Sequence, residues 1–134
     1  MVTSILLSTT MAAAAVAALI NFWLAWRIGQ LRSSEKISIG AGGHELLERR
    51  MRAQLNFAEN APFMLALILL VELAGKGGLW LPWVAGIYLF GRIAHGLGMD
   101  GAGFAVGRTI GMATTMLGQL GMAVVALLIV AGVI

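Results

Sequence analysis

The sequence predicts an all-α integral membrane protein, a four-helix bundle. Three observations carry that prediction. Of 134 residues, 60% are hydrophobic and only 11% charged, and mean hydropathy is +0.92. Soluble domains carry about 25% charged residues, too many for a lipid-facing surface to tolerate and far more than this chain has. The apolar residues fall into four long stretches without the strict alternation of strands, and an open sheet edge cannot face lipid. The charged residues gather between those stretches, at one end of the implied bundle.

The first helix is expected at about residues 3–31. Residues 1–26 hold no charged side chain, and 26 helical residues reach about 39 Å, ample for a hydrocarbon core of about 30 Å. The run is too long for a secretory signal and lacks a basic leader, so a retained span is expected. The second helix, about 45–74, joins a polar first half to "PFMLALILLVELAG". "GKGG" at 75–78 is a tight turn that makes the second and third helices antiparallel neighbours. The third helix, about 79–98, starts near Pro82, where a missing amide proton matters least. The fourth, about 105–133, is free of charge from Thr109 to Ile134. The whole chain, 1–134, is expected to form one transmembrane domain. Gly103, Gly107 and Gly111 form a small-residue ladder at four-residue spacing that signals close helix packing. The first-helix alanines (Ala12–Ala15, Ala17, Ala18) with the fourth-helix glycines are expected to contribute close packing between copies of the chain.

With four spans, Arg27, Arg32, Lys36, Arg49, Arg50, Arg52, Arg92 and Arg108 lie on one side and Lys76 alone on the other. Basic residues mark the cytoplasmic side, which places residues 32–45 and 99–107 there and both termini outside. Trp23 and Trp26 at one boundary, Trp80 and Trp83 at the other, suit the aromatic interface belts. The net charge of +3 forms no long basic run interleaved with aromatic residues, which argues against nucleic acid as a partner. Cysteine is absent, so disulfides, thiolate metal sites and a cysteine nucleophile are excluded. His44 and His95 are far apart in the chain, no zinc-ligand spacing occurs, and no metal is expected. Neither a G-x-S-x-G elbow nor a phosphate-binding P-loop is present.

The polar segment that opens the second helix, "RRMRAQLNFAEN" at 49–60, is the most informative. On a helix Arg52, Asn56 and Glu59 stand at i, i+4 and i+7 and share one face. Glu59 then lies about 10 Å deeper than Arg52. A carboxylate facing lipid at that depth costs a few kcal/mol, so it faces a partner helix or a wet cavity. Either a structural Arg–Glu bond or a ligand site would satisfy it. Arg92 in "YLFGRIAHG" and Arg108 in "FAVGRTIGM" enter the same leaflet from other helices. Three guanidinium groups, an amide and a carboxylate suit a ligand with several anionic groups and one ammonium. Glutathione has that pattern, with two carboxylates, an α-amine and a thiol.

These segments, "ERRMRAQLNFAEN-AP", "YLFGRIAHGLGM" and "VGRTIG", resemble the membrane-associated proteins in eicosanoid and glutathione metabolism, the MAPEG family, which includes microsomal glutathione transferases. The R-A-Q-x-N-x-x-E pattern at 52–59 is the most specific part, and the likeness covers the whole chain. The resemblance implies a homotrimer with glutathione as co-substrate between subunits near the cytoplasmic face. Carried over by position, Arg52, Asn56 and Glu59 would hold the peptide with Gln54 nearby, Arg92 would support a carboxylate, and Arg108 would be the catalytic residue that stabilises the thiolate. One departure is plain. Synthases of the family have a tyrosine one turn after the residue matching His95, where this chain has Met99.

The expected function is therefore a membrane glutathione transferase or peroxidase acting on hydrophobic electrophiles that arrive through the lipid. The expected place is a bacterial cytoplasmic (inner) membrane. Two alternatives compete. A small proton-coupled multidrug exporter would use Glu59 as its proton carrier, and a catalytically silent membrane protein would keep only the fold.

Overall fold

The computed structural model describes residues 6–103 and 105–134. Four helices follow one another as α1 (Ser8–Glu35), α2 (Glu45–Leu73), α3 (Leu81–Gly98) and α4 (Val106–Val130). They run up, down, up and down. Helices α2 and α3 each touch the other three, while α1 and α4 make no contact with each other among the described residues.

Each boundary has a local cause. Helix α1 runs to Glu35, beyond the expected residue 31. Its polar last turn stays helical until Lys36 adopts a left-handed φ of 55° and its amide bonds to the Arg32 carbonyl. The part of the first helix expected at residues 3–5 lies outside the described residues. Helix α2 starts at His44, whose Nδ1 accepts from the Leu47 amide at 3.3 Å, and Glu45 and Glu48 favour its positive end. Helix α3 opens just before Pro82, in the first turn where an absent N–H is harmless. Helix α4 stops at Val130, three residues short of the expected end. There Gly132 turns left-handed and the amides of Gly132 and Val133 close back onto Ile129 and Leu128.

Helices α1, α2 and α4 are long and apolar enough to cross a membrane. Helix α3 has 18 residues, about 27 Å, and hydropathy alone undervalues it because it carries Arg92 and His95. Both point inward, at 1% and 3% exposure, so lipid never meets them. Its outward residues, Trp83, Ile87, Phe90 and Leu97, are apolar and exposed.

The buried spine of α1 is Ala13, Ala17, Ile20, Leu24 and Arg27, steps of three and four that keep one face inward. It meets Ala53, Phe57, Met64, Ile68 and Val71 of α2. Helices α3 and α4 approach most closely of all. A Cβ on Gly107 would sit 2.5 Å from the Ala94 carbonyl oxygen, and one on Gly111 would sit 2.6 Å from that of Gly91. Gly107 and Gly111 thus seat α4 on α3 within one chain, backbone against backbone, whereas Gly103 precedes α4 and a Cβ there would meet nothing within 4 Å.

Polar clamps close both ends. At the far end the Glu72 carboxylate accepts from the Thr9 and Thr10 amides at 2.9 and 2.7 Å and from the Thr10 hydroxyl at 2.6 Å. One side chain of α2 thereby caps the start of α1. At the near end Asp100, just past α3, accepts from Arg27 of α1 and from both Nε and Nη2 of Arg50 in α2, each at 3.1 Å. Partial burial pushes the Asp100 carboxyl upward, but hydrogen bonds and charge from Arg50 and Arg27 outweigh it and hold the group below its ordinary value.

The glycine contact can be tested by substitution. Gly111→Leu should cost about 1–3 kcal/mol of stability, the range for overpacking a tight interface. Gly29→Ala, on the open face of α1 where a Cβ meets nothing within 4 Å, should stabilise by about 0.5–1 kcal/mol. Thermal unfolding in detergent measures both, and equal effects at the two positions would refute this packing.

Candidate functional site

The polar first half of α2 faces the inner ends of α3 and α4, and a cavity of about 180 Å³ lies between them. Arg52, Asn56 and Glu59 form its α2 wall, at the spacing that puts them on one helical face. His95 and Met99 come from the end of α3, and Arg108 and Met112 from the start of α4. Four of the six residues expected from sequence therefore meet in one place. Two guanidinium groups and one carboxylate line the space, giving it an excess of positive charge with one anionic point.

Arg92 does not line this cavity. It lies behind it, 1% exposed, donating from Nη1 to the Thr115 hydroxyl at 2.8 Å and from Nη2 to Asn56 Oδ1 at 2.7 Å. Nη2 also approaches His95 Nδ1 at 3.4 Å, and the Phe57 ring lies 5.9 Å from the guanidinium carbon. A guanidinium can only donate, so Asn56 offers it the amide oxygen and turns the NH₂ group to the cavity. By the same logic His95 accepts through Nδ1 and carries its proton on Nε2. Arg92 fixes the orientation of two cavity residues.

Gln54 stands apart. Two residues along α2 is a turn of about 200°, and Gln54 lines a separate, wider groove of about 840 Å³ with Arg32, Gly42, Gly43 and Glu48. Arg52 and Leu55 border both spaces. Among the described residues the α2 face bearing Arg52, Leu55, Glu59 and Phe63 is exposed, as is Arg108 at the start of α4.

Sequence reasoning passed over four residues that build this region. His95 lines the cavity, and its signal was its place three residues after Arg92 on the same face. Thr115 holds Arg92 and is itself anchored, donating to the Gly111 carbonyl at 2.8 Å. Asn60 donates to the Asn56 carbonyl at 2.8 Å, and Gln119 of α4 donates to the Asn60 carbonyl at 2.9 Å. These bonds brace α2 just before Pro62, whose missing N–H interrupts the helical ladder.

The chemistry of such a space is anion capture beside an apolar wall. Arg52 and Arg108 can each take a carboxylate or thiolate, Glu59 an ammonium, and the Asn56 NH₂ a carbonyl or carboxylate oxygen. Met99 and Met112 add polarizable, adaptable surface. A comparison with curated proteins finds no match to this chain. The model of the MAPEG family matches residues 10–128, which takes in all of these cavity residues. That family has glutathione-related membrane functions. With four helices, three of them apolar enough to span lipid, and a family match over nearly its whole length, the chain is an integral membrane protein of the MAPEG family.

Proposed function

We propose that this protein is a membrane glutathione transferase or peroxidase that joins glutathione to, or reduces with it, hydrophobic electrophiles arriving through the bilayer. The observation that carries the reading is the meeting of Arg52, Asn56, Glu59 and Arg108 around one cavity at the basic end of the bundle. Basic residues mark that end as cytoplasmic, where glutathione is made available. Glu59 takes the α-ammonium of the tripeptide, and Arg52 and the Asn56 amide take carboxylate oxygens. Arg92 acts from behind by holding Asn56, and Gln54 touches the ligand only where it extends past Arg52 toward the wider groove.

Arg108 supports the chemistry. A free thiol has a pKa of about 8.5, so only a few per cent is thiolate at neutral pH. A guanidinium beside the sulfur favours the anion by Coulomb attraction, and the positive end of α4 adds to it. The proton leaves to solvent, the sulfur attacks the electrophilic carbon, and the leaving group departs with its electron pair. The electrophile reaches the sulfur along the apolar side, past Met112.

Ligand pockets usually enclose about 300–1,000 Å³, more than the 180 Å³ found here. The uncovered α2 face would also leave Glu59 toward lipid, where a carboxylate is costly. A homotrimer supplies the missing wall from a neighbouring copy and removes that cost. The whole chain then acts as one transmembrane domain in the cytoplasmic membrane, with both termini outside.

Three outcomes follow. Mass measurement in a mild detergent is expected to give three copies, and monomers alone would count against the shared site. Glu59→Gln keeps the shape but removes the charge, so glutathione affinity, read by calorimetry, should fall by about 1–3 kcal/mol. Unchanged affinity in a folded variant would defeat the assignment. Arg108→Leu should still bind glutathione but lose the ultraviolet absorbance of the bound thiolate and most conjugation of a chlorodinitrobenzene-type substrate; wild-type turnover would make Arg108 structural.

A further inference from the structure

The cavity is built by three helices, yet its two sides are held by different means. Arg52, Asn56 and Glu59 stand on one rigid helix. His95, Met99 and Arg108 stand where α3 ends and α4 begins, at a reversal of the chain. The Asp100 clamp ties that reversal to α1 and α2.

Asp100 directly follows Met99. Its Oδ1 accepts from Arg50 Nε at 3.1 Å, and its Oδ2 accepts from Arg50 Nη2 at 3.1 Å and from Arg27. Arg50 Nη1 reaches on to the Arg27 carbonyl at 3.2 Å. Arg27 is 8% exposed, stacks its guanidinium 4.7 Å from the Trp23 ring centre, and donates through Nη1 to the Gly96 carbonyl at 3.0 Å. Gly96 neighbours His95, and a Cβ there would meet the same Trp23 ring at 2.9 Å. One carboxylate thus compensates two arginines from two helices, and those arginines grip the last turn of α3.

The grip passes to α4. A Cβ on Gly98 would collide with the Arg108 amide nitrogen and lie 3.0 Å from Gly107 Cα. The first turn of α4 rests on the last turn of α3 with no side chain between them to absorb a shift. His95, Met99 and Arg108 therefore stand on or against the segment that Asp100 anchors, while Arg52, Asn56 and Glu59 stand on α2.

We infer that Asp100 is a positioning residue for the cavity: through Arg27 and Arg50 it sets where the α3–α4 wall, with Arg108, stands against the glutathione-binding face of α2. Its use in turnover rests on the proposed function, whereas its hold on the reversal does not. Asp100 touches neither the cavity nor the ligand. Without its charge, two partly buried guanidinium groups lose their compensation and the α3 end loses its anchor. A displacement of about 1 Å between thiol and catalytic group can cost on the order of a hundredfold in rate.

The test is Asp100→Asn, which keeps the size and removes the charge. Glutathione affinity should stay within about threefold, because the substitution lies outside the α2 wall of Arg52, Asn56 and Glu59. Turnover should fall at least about tenfold, and the midpoint of bound-thiolate absorbance against pH should move upward. Without any ligand, amide hydrogen exchange should rise from Gly96 to Arg108 and stay level from Asn56 to Glu59. If the variant does not fold, Arg50→Lys, which keeps the charge but breaks the paired bond to Asp100, should give the same pattern in weaker form. Unchanged exchange at Gly96–Arg108 in the folded variant overturns the inference, as does a loss of affinity and turnover in equal proportion. Wild-type protein that binds no glutathione, while the exchange pattern holds, overturns the transferase reading and leaves the positioning role standing.

Discussion

The candidate site at the arginine-rich end of this bundle is organised by the need to bury a guanidinium where water cannot help. Arg92 is 1% exposed in a helix that runs through the protein's middle, and a buried charge without partners costs several kcal/mol. Thr115, Asn56 and the His95 ring supply acceptors, and each comes with conditions. Thr115 can reach Arg92 only because Gly111 lets α4 lie directly on α3. Asn56 must turn its oxygen inward, which leaves its NH₂ toward the cavity. The buried cation is therefore both a packing problem and the element that orients the site.

The two faces of α2 show how one helix packs against the core and lines a polar cavity together. Its buried stripe, Ala53, Phe57, Ala61, Met64, Ile68 and Val71, meets the core of the chain. The stripe beside it carries Arg52, Leu55, Glu59 and Phe63 and is exposed among the described residues. Pro62 falls between polar and apolar halves, and the Asn60 and Gln119 bonds brace the backbone just before it. Helix α2 can afford a charged half because the other helices shield its polar atoms on one side and leave a cavity on the other.

Clamps at both ends divide the work of stability. Glu72 fixes the start of α1 at the end of the bundle that has Lys76 as its sole basic residue. Asp100 fixes the reversal between α3 and α4 at the end crowded with arginines. The basic residues gathered there play distinct parts. Arg27 and Arg50 hold the fold, Arg92 orients neighbours, and Arg52 and Arg108 face the open space. Arg32 closes the α1–α2 connection by donating to the Gly40 carbonyl at 2.7 Å.

Much of this was legible in the residues alone. Hydropathy and the gathering of charge gave four helices and their alternating direction, because lipid forces backbone groups into helices and leaves polar side chains few places to go. The i, i+4, i+7 register of Arg52, Asn56 and Glu59 placed them on one face, since helix geometry is local. The glycine spacing told of close packing, though only the fold showed that α3 is what α4 packs on. Tertiary structure alone decided which arginine faces the cavity and which stands behind it. Arg92 and Arg108 look alike in sequence, each a single cation near a membrane boundary, and only the crossing of α3 with α2 and α4 buries one and leaves the other open. It also gave Asp100 its meaning. A carboxylate in a glycine-rich connection reads as a solvated turn until Arg27 and Arg50, 73 and 50 residues away in the chain, are brought to it. Pairings between distant residues arise from packing, which no local pattern encodes.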